Sequence, residues 1–227
     1  MGMIKFLDIL KESDDNIFIP RRTKEEKDKK FLFRTYRILF NYIKNGSQGN
    51  LHLMDSSIEF LPKNLTQVNG DLMLIECENL KSLPNNLTVN GDVVLYGTKN
   101  LKGLPGGLKV KGSLHLLNIS ITELPQDLEV GSTINLSGSL IKKLPENLIV
   151  NGKLNLEDCK KIRSLPNGLK VRGTLDLRDT NITKLPPDLE VEEALVLYRT
   201  PLSNLSINKI REMVPKLRAS IYSWSSS

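Results

Sequence analysis

Few side chains in this sequence are suited to metal binding or nucleophilic attack, and their spacing argues against both uses. His52 and His115 are the only histidines, and Cys77 and Cys159 the only cysteines. Each histidine is the middle residue of a Leu-x-Leu triplet, an alternation that buries the leucines of a strand and turns the middle residue outward. Their triplets belong to copies of one repeat that lie three steps apart, roughly 14 Å at the spacing of adjacent strands. Zinc needs its ligands within about 2 Å of one point, so these two cannot share an ion. The cysteines recur at one inward-facing position of the repeat, four steps or roughly 19 Å apart, beyond the reach of a disulfide. The sequence also lacks the phosphate-binding and dinucleotide glycine patterns, HExxH, the G-x-S-x-G elbow and any CxxC. We expect no enzyme, no metal and no cofactor.

The elements that position these residues come from a repeat of 20 to 22 residues, clearest in Leu165 to Leu185, LPNGLKVRGTLDLRDTNITKL. Leu-Pro pairs stand at Leu61, Leu83, Leu104, Leu124, Leu144, Leu165 and Leu185, and Leu205-Ser206 is a last copy without its proline. Between them run Leu-x-Val, usually a glycine, and Leu-x-Leu. A fixed period of this length predicts a solenoid, here with about eight short parallel strands. Asn69-Gly70, Asn90-Gly91 and Asn151-Gly152 read as turns in which glycine supplies a positive φ.

The chain resembles the leucine-rich repeat superfamily over about Leu51 to Leu205, where L-x-L-x-x-N-x-L is matched by Leu177-Arg178-Asp179-Thr180-Asn181-Ile182 and its counterparts. The Leu-Pro marking and short period resemble the bacterial kind of repeat, and V-x-G-x-L-x-L is similar to proteins encoded by tailed, T4-like phages. The resemblance implies an α/β, mostly β, solenoid that recognises protein through a concave sheet. Where the family carries its inner-turn Asn, this chain has Ser56, Cys77, Thr98, Ile119, Ser139, Cys159, Thr180 and Thr200, so hydroxyls and thiols are expected to satisfy that turn. Bacterial effectors with such repeats carry a separate ubiquitin-ligase domain, and the flanks here are too short to be one.

The flanks divide into an amphipathic segment and linker, 1–22, a helical N-terminal cap, 23–46, and a helix-plus-strand C-terminal cap, 206–227, around the solenoid at 47–205. Ile4, Leu7 and Leu10 share a helical face, and Leu10-Lys11-Glu12 resembles the cleavage site of phage head-protein leaders. Thr23-Lys24-Glu25-Glu26 is a capping box, Leu32, Tyr36, Leu39 and Ile43 keep helical spacing, and Asn45-Gly46 ends the helix. Its basic residues are interleaved with acids and read as a solvated face. Ser206 caps a helix ended by Pro215, and Ala219 to Trp224 reads as an apolar strand. Apolar runs are too short for a bilayer, no secretory signal is visible, and Phe6 stands where a myristoylation motif needs Ser or Thr. We therefore expect a protein of the infected bacterial cytoplasm or the virion, with its Asn-x-Ser/Thr triplets unused.

Two surfaces could carry function. On the concave face the middle column of the first four repeats is His52, Met73, Val94 and His115, and the next is Met54, Ile75, Tyr96 and Leu117. Later copies are polar: Asn135, Asn155 and Asp176 beside Ser137, Glu157 and Arg178. Adjacent exposed apolar residues make a patch of the kind that binds partners. We expect a protein partner, host or viral, with coverage by residues 1–22 and self-association as the alternatives. The second surface is a basic edge, Lys81, Lys102, Lys142, Lys143, Lys160, Lys161, Arg163 and Lys184, in a chain of net charge +6. Stacked cations could follow a phosphate backbone, though Glu59, Glu123, Glu157 and Asp158 interrupt the row and no aromatic ladder accompanies it. Nucleic acid is thus the lesser reading.

Overall fold

The computed structural model describes residues 24–223, with side chains from residue 32 onward. The amphipathic segment and linker at 1–22, Thr23 of the capping box, the side chains of the charged turn after it, and Trp224 lie outside the described residues.

The chain forms a parallel β-solenoid. Eight strands of its main sheet come from the Leu-x-Leu triplets, at Leu51–Met54, Leu72–Ile75, Val93–Tyr96, Leu114–Leu117, Ile134–Asn135, Leu154–Asn155, Thr174–Asp176 and Ala194–Val196. They pair in sequence order, and Ser220–Tyr222 adds a ninth strand parallel to the last repeat. The register is uniform: Leu51 lies beside Leu72, Leu72 beside Val93 and Val93 beside Leu114. The inward residues form two aliphatic columns, one continuing from Leu51 and the other from Leu53, and burying each residue is worth roughly 2 kcal/mol.

A second row of strands is not visible in the triplet pattern. The last two residues of each Leu-x-Val, and of Leu65-Thr66-Gln67-Val68 in the first copy, pair in parallel with their counterparts, giving a four-stranded sheet from Gln67–Val68 to Glu129–Val130 and a three-stranded one from Ile149–Val150 to Glu190–Val191. Each valine enters the core while its neighbour faces outward. The row is broken between the repeats that contain Val130 and Val150, where the main-sheet strands also shorten from four residues to two or three.

Turns follow from residue chemistry. Proline cannot donate to a ladder, and here it begins a turn in which its carbonyl accepts the N–H three residues on, as at Leu65 to Pro62, 2.9 Å. The chain leaves every main-sheet repeat strand through one left-handed residue: Asp55, Glu76, Gly97, Asn118, Gly138, Asp158, Asp179 and Arg199 all have positive φ. The glycines of Asn69-Gly70, Asn90-Gly91 and Asn151-Gly152 do not, contrary to the sequence expectation. They are required by close approach instead. A Cβ on Gly70 would lie 2.7 Å from the carbonyl carbon of Gly49, and one on Gly91 2.8 Å from that of Gly70. The glycines stack backbone on backbone, with Gly91 N–H donating to Gly70 and Gly112 N–H to Gly91 at 3.0 and 3.1 Å.

Among the described residues, two helices flank the array. Helix α1, Lys24–Lys44, puts Leu39 into the core with Leu32, Tyr36, Tyr42 and Ile43 packed against it. Its Thr35 hydroxyl meets that of Ser56 at 3.2 Å, and positive φ at Gly46 follows its end. Helix α2, Ile207–Met213, is capped by Ser206, which accepts the Lys209 N–H, and buries Ile210. Ile207 remains exposed, and in the following strand only Ile221 is half-buried, so this strand is less apolar than its sequence suggests.

Gly173 and Gly103 test the close-approach account. A Cβ on Gly173 would lie 2.8 Å from the backbone of Gly152, whereas one on Gly103 would meet nothing within 4 Å. Gly173→Ala is expected to cost about 1–3 kcal/mol by overpacking. Gly103→Ala is expected to be neutral or to stabilise by up to about 1 kcal/mol. Urea denaturation midpoints of the two variants decide it.

Candidate functional site

The outer face of the main sheet is built by the strand alternation itself, since every residue between two core residues must point away from the core. The register sets His52 beside Met73, Met73 beside Val94 and Val94 beside His115. In the next column Met54 lies beside Ile75, Ile75 beside Tyr96 and Tyr96 beside Leu117. The structure therefore brings all eight sequence-predicted residues into one band across four strands. Met54 is 59% exposed and Tyr96 43%; His52 is also exposed, and the other five are half-buried by their neighbours. The two histidines are three strands apart, as expected, with Met73 and Val94 between them.

The second half of the face departs from expectation. Asn155 and Asp176 are not open to solvent but buried, at 9% and 2% exposure. The Arg178 guanidinium forks onto Asp176, Nε to Oδ1 at 2.9 Å and an Nη to Oδ2 at 2.8 Å, and bonds Glu157 at 2.9 Å. Lys153 Nζ reaches the same Asp176 Oδ2 at 2.9 Å. Burial alone would push the Asp176 carboxyl upward, but the hydrogen bonds of Arg178 and Lys153 outweigh it and hold it below the ordinary aspartate value. The network covers the carboxylate that organises it, and no periodicity of single residues announces that.

Asn and Asp in the middle column also explain three of the four shorter strands, Ala194–Val196 being the one without such a residue. Asn135, Asn155 and Asp176 each use Oδ1 to accept the N–H two residues later, at 3.1, 3.1 and 3.3 Å. Such local bonding competes with the ladder. Apolar residues in the first four repeats offer no such competitor, so those strands run through the outer column and keep its side chains aligned.

The inward cysteines are structural. Cys77 and Cys159 are buried free thiols whose Sγ atoms lie 3.6 Å from the Leu53 carbonyl and 3.0 Å from that of Leu136. Burial raises both thiols above their ordinary range, away from the thiolate a nucleophile needs. Thr180 and Thr200 bond the Leu177 and Leu197 carbonyls in the same turn, both at 2.7 Å. The expectation that this position satisfies the turn fails at two copies: Thr98 Oγ1 is buried without a hydrogen-bond partner, and Ile119 has no polar atom.

The basic edge is exposed throughout but unevenly compensated. Lys81 bonds Glu59 at 2.7 Å and lies 5.6 Å from the Phe60 ring centre, and Lys160 pairs with Asp158 at 3.1 Å. Among the described residues Lys102, Lys142, Lys143, Lys161, Arg163 and Lys184 make no ion pair. Glu123 interrupts them, paired in register with Lys143. The described residues contain no group of three or more potential metal ligands, and none of the described helices is long and apolar enough to cross a membrane.

Compared with known proteins, the chain matches no family model and no curated protein.

The Asp176 network carries a signed pH prediction. A carboxylate whose folded pKa is depressed adds stability that is complete above its unfolded value, about 3.9, and is lost as pH falls through the folded pKa. Asp176→Asn is expected to cost about 2 kcal/mol at pH 7, the scale of hydrogen bonds to a charged group. The difference from wild type should shrink as pH is lowered below about 4. Urea titrations across that range check it; a constant difference would remove the charge from the explanation.

Proposed function

We propose that this is a non-enzymatic solenoid of the leucine-rich-repeat type that recognises a protein through the outer face of its main sheet. In this reading α1 caps one end, α2 with Ser220–Tyr222 caps the other, and the repeats between them display a surface rather than a reaction centre. The observation that carries the proposal is the continuous column of Met54, Ile75, Tyr96 and Leu117 in register, with Met54 and Tyr96 largely open. Such a row gains burial only from a partner that covers it, and methionine adapts to a partner's contours. Buried thiols and separated histidines favour binding over catalysis. The repeat's resemblance to those of tailed phages supports an infected-cell setting, with a host or viral protein as partner. A head-associated virion component is the alternative.

A second reading has its own observation. The uncompensated Lys142, Lys143, Lys161, Arg163 and Lys184 favour a weak, sequence-independent contact with nucleic-acid phosphates. Retention on DNA or RNA that falls steeply between about 50 and 200 mM salt would establish it, and flat retention would dismiss it.

The main proposal is tested by affinity capture from infected and uninfected host lysate with wild type and a Tyr96→Ala/Leu117→Asp variant, after circular dichroism shows both folded. A bound protein should be depleted at least about tenfold by the variant, as removal of a central aromatic anchor does at other interfaces. Capture unchanged by the variant, or a partner lost only on changing the basic edge, would overturn it.

A further inference from the structure

The alternation on the outer face extends one residue beyond the apolar band. Asp71 and Asp92 immediately precede core residues Leu72 and Val93, so they share the face of Met73 and Val94. Each is pinned there: Asp71 Oδ1 accepts the Asp92 N–H at 2.8 Å, and Asp92 Oδ1 accepts the Ser113 N–H at 2.6 Å. Gly91 and Gly112 make room, because a Cβ on either would collide with those carboxylates. On the opposite margin Asp55 and Glu76 follow Met54 and Ile75 directly in the left-handed conformation. The Glu76 carboxylate lies across Gly97, the residue after Tyr96, where a side chain would exclude it.

The apolar band is thus bordered on both sides by carboxylates. None of the four makes an ion pair among the described residues, and no lysine or arginine stands in the rows they occupy across the first four strands. Lys99, which feels Glu76, is bonded to Glu78. In a chain of net charge +6 this is a local reversal of sign. Further along the face, Lys153 and Arg178 are already bound to Asp176.

We propose that the band takes a basic amphipathic helix of a protein partner, with large apolar side chains along one stripe and Lys or Arg on both margins of it. This rests on the outer face being the recognition surface and adds the chemistry of what it recognises. Three strand intervals span roughly 14 Å, the length of about nine helical residues. Two side-chain columns two residues apart are roughly 7 Å wide, which suits the apolar stripe of a single helix. The chain's own residues 1–22 fit less well, because their four basic and four acidic residues cancel.

Two synthetic helical peptides with the same leucine stripe, one with all-Lys and one with all-Glu margins, test the inference by fluorescence anisotropy against the full chain. The Lys peptide should bind at least about tenfold more tightly than the Glu peptide, with a gap that narrows as salt screens it. Asp71→Asn/Asp92→Asn keeps both hydrogen-bond acceptors and should weaken the Lys peptide about tenfold, while Tyr96→Ala should weaken both peptides. Equal or tighter binding of the Glu peptide that still depends on Tyr96 overturns the charge inference and leaves the face as a recognition surface. Binding of neither peptide, or binding indifferent to Tyr96, overturns both. The peptide comparison on wild type stands even if a variant fails to fold.

Discussion

Turns of this chain bond their backbones to the next along two rows, Leu51 N–H to the Asp71 carbonyl at 2.8 Å in one and Thr88 N–H to the Thr66 carbonyl at 3.0 Å in the other, the second row lapsing once, between the repeats of Val130 and Val150. Everything else depends on that lateral bonding. A repeat of this size cannot bury its own leucines, and only when neighbours are held at strand spacing do the inward residues become a continuous core. The constraint is severe at the glycine stack, where backbones meet closely enough that a methyl group has no place. It is equally local at the strand exits, where one left-handed residue per repeat lets the chain turn out of the sheet. Gly, Asn and Asp tolerate that conformation best, which accounts for most of the residues found there.

The same lateral order makes the outer face a lattice whose chemistry is decided column by column. In the first four repeats, where the middle column is apolar or histidine, strands run four residues and present two aligned rows. Where it becomes Asn or Asp, the side chain bonds the backbone two residues ahead and the strand shortens. One substitution class therefore changes both local conformation and surface character. The apolar band ends where the polar residues begin, and beyond it Asp176, Arg178, Glu157 and Lys153 satisfy one another instead of a partner. Breaking such a network is costly because it strands a buried charge, which makes that half better suited to rigidity than to recognition.

The sequence by itself determined the parallel solenoid, the inward columns, and the adjacency of Met54, Ile75, Tyr96 and Leu117, because a strand's two-residue period and a fixed repeat length leave no freedom in which side chains become neighbours. It also placed the buried thiols and the separated histidines. Only the tertiary structure decided the second row of strands, since a two-residue strand has no periodicity to read and exists through its neighbours. It alone decided that Gly70, Gly91 and Gly152 serve close approach and not positive φ, because both uses demand the same residue. Burial of Asp176 likewise depends on Arg178 and Lys153 converging from neighbouring positions, a matter of side-chain geometry that spacing does not encode. The carboxylate margins of the apolar band emerged for the same reason: Asp71 and Glu76 are ordinary acids in sequence, and they border one surface only because glycines in the next repeat make room for them.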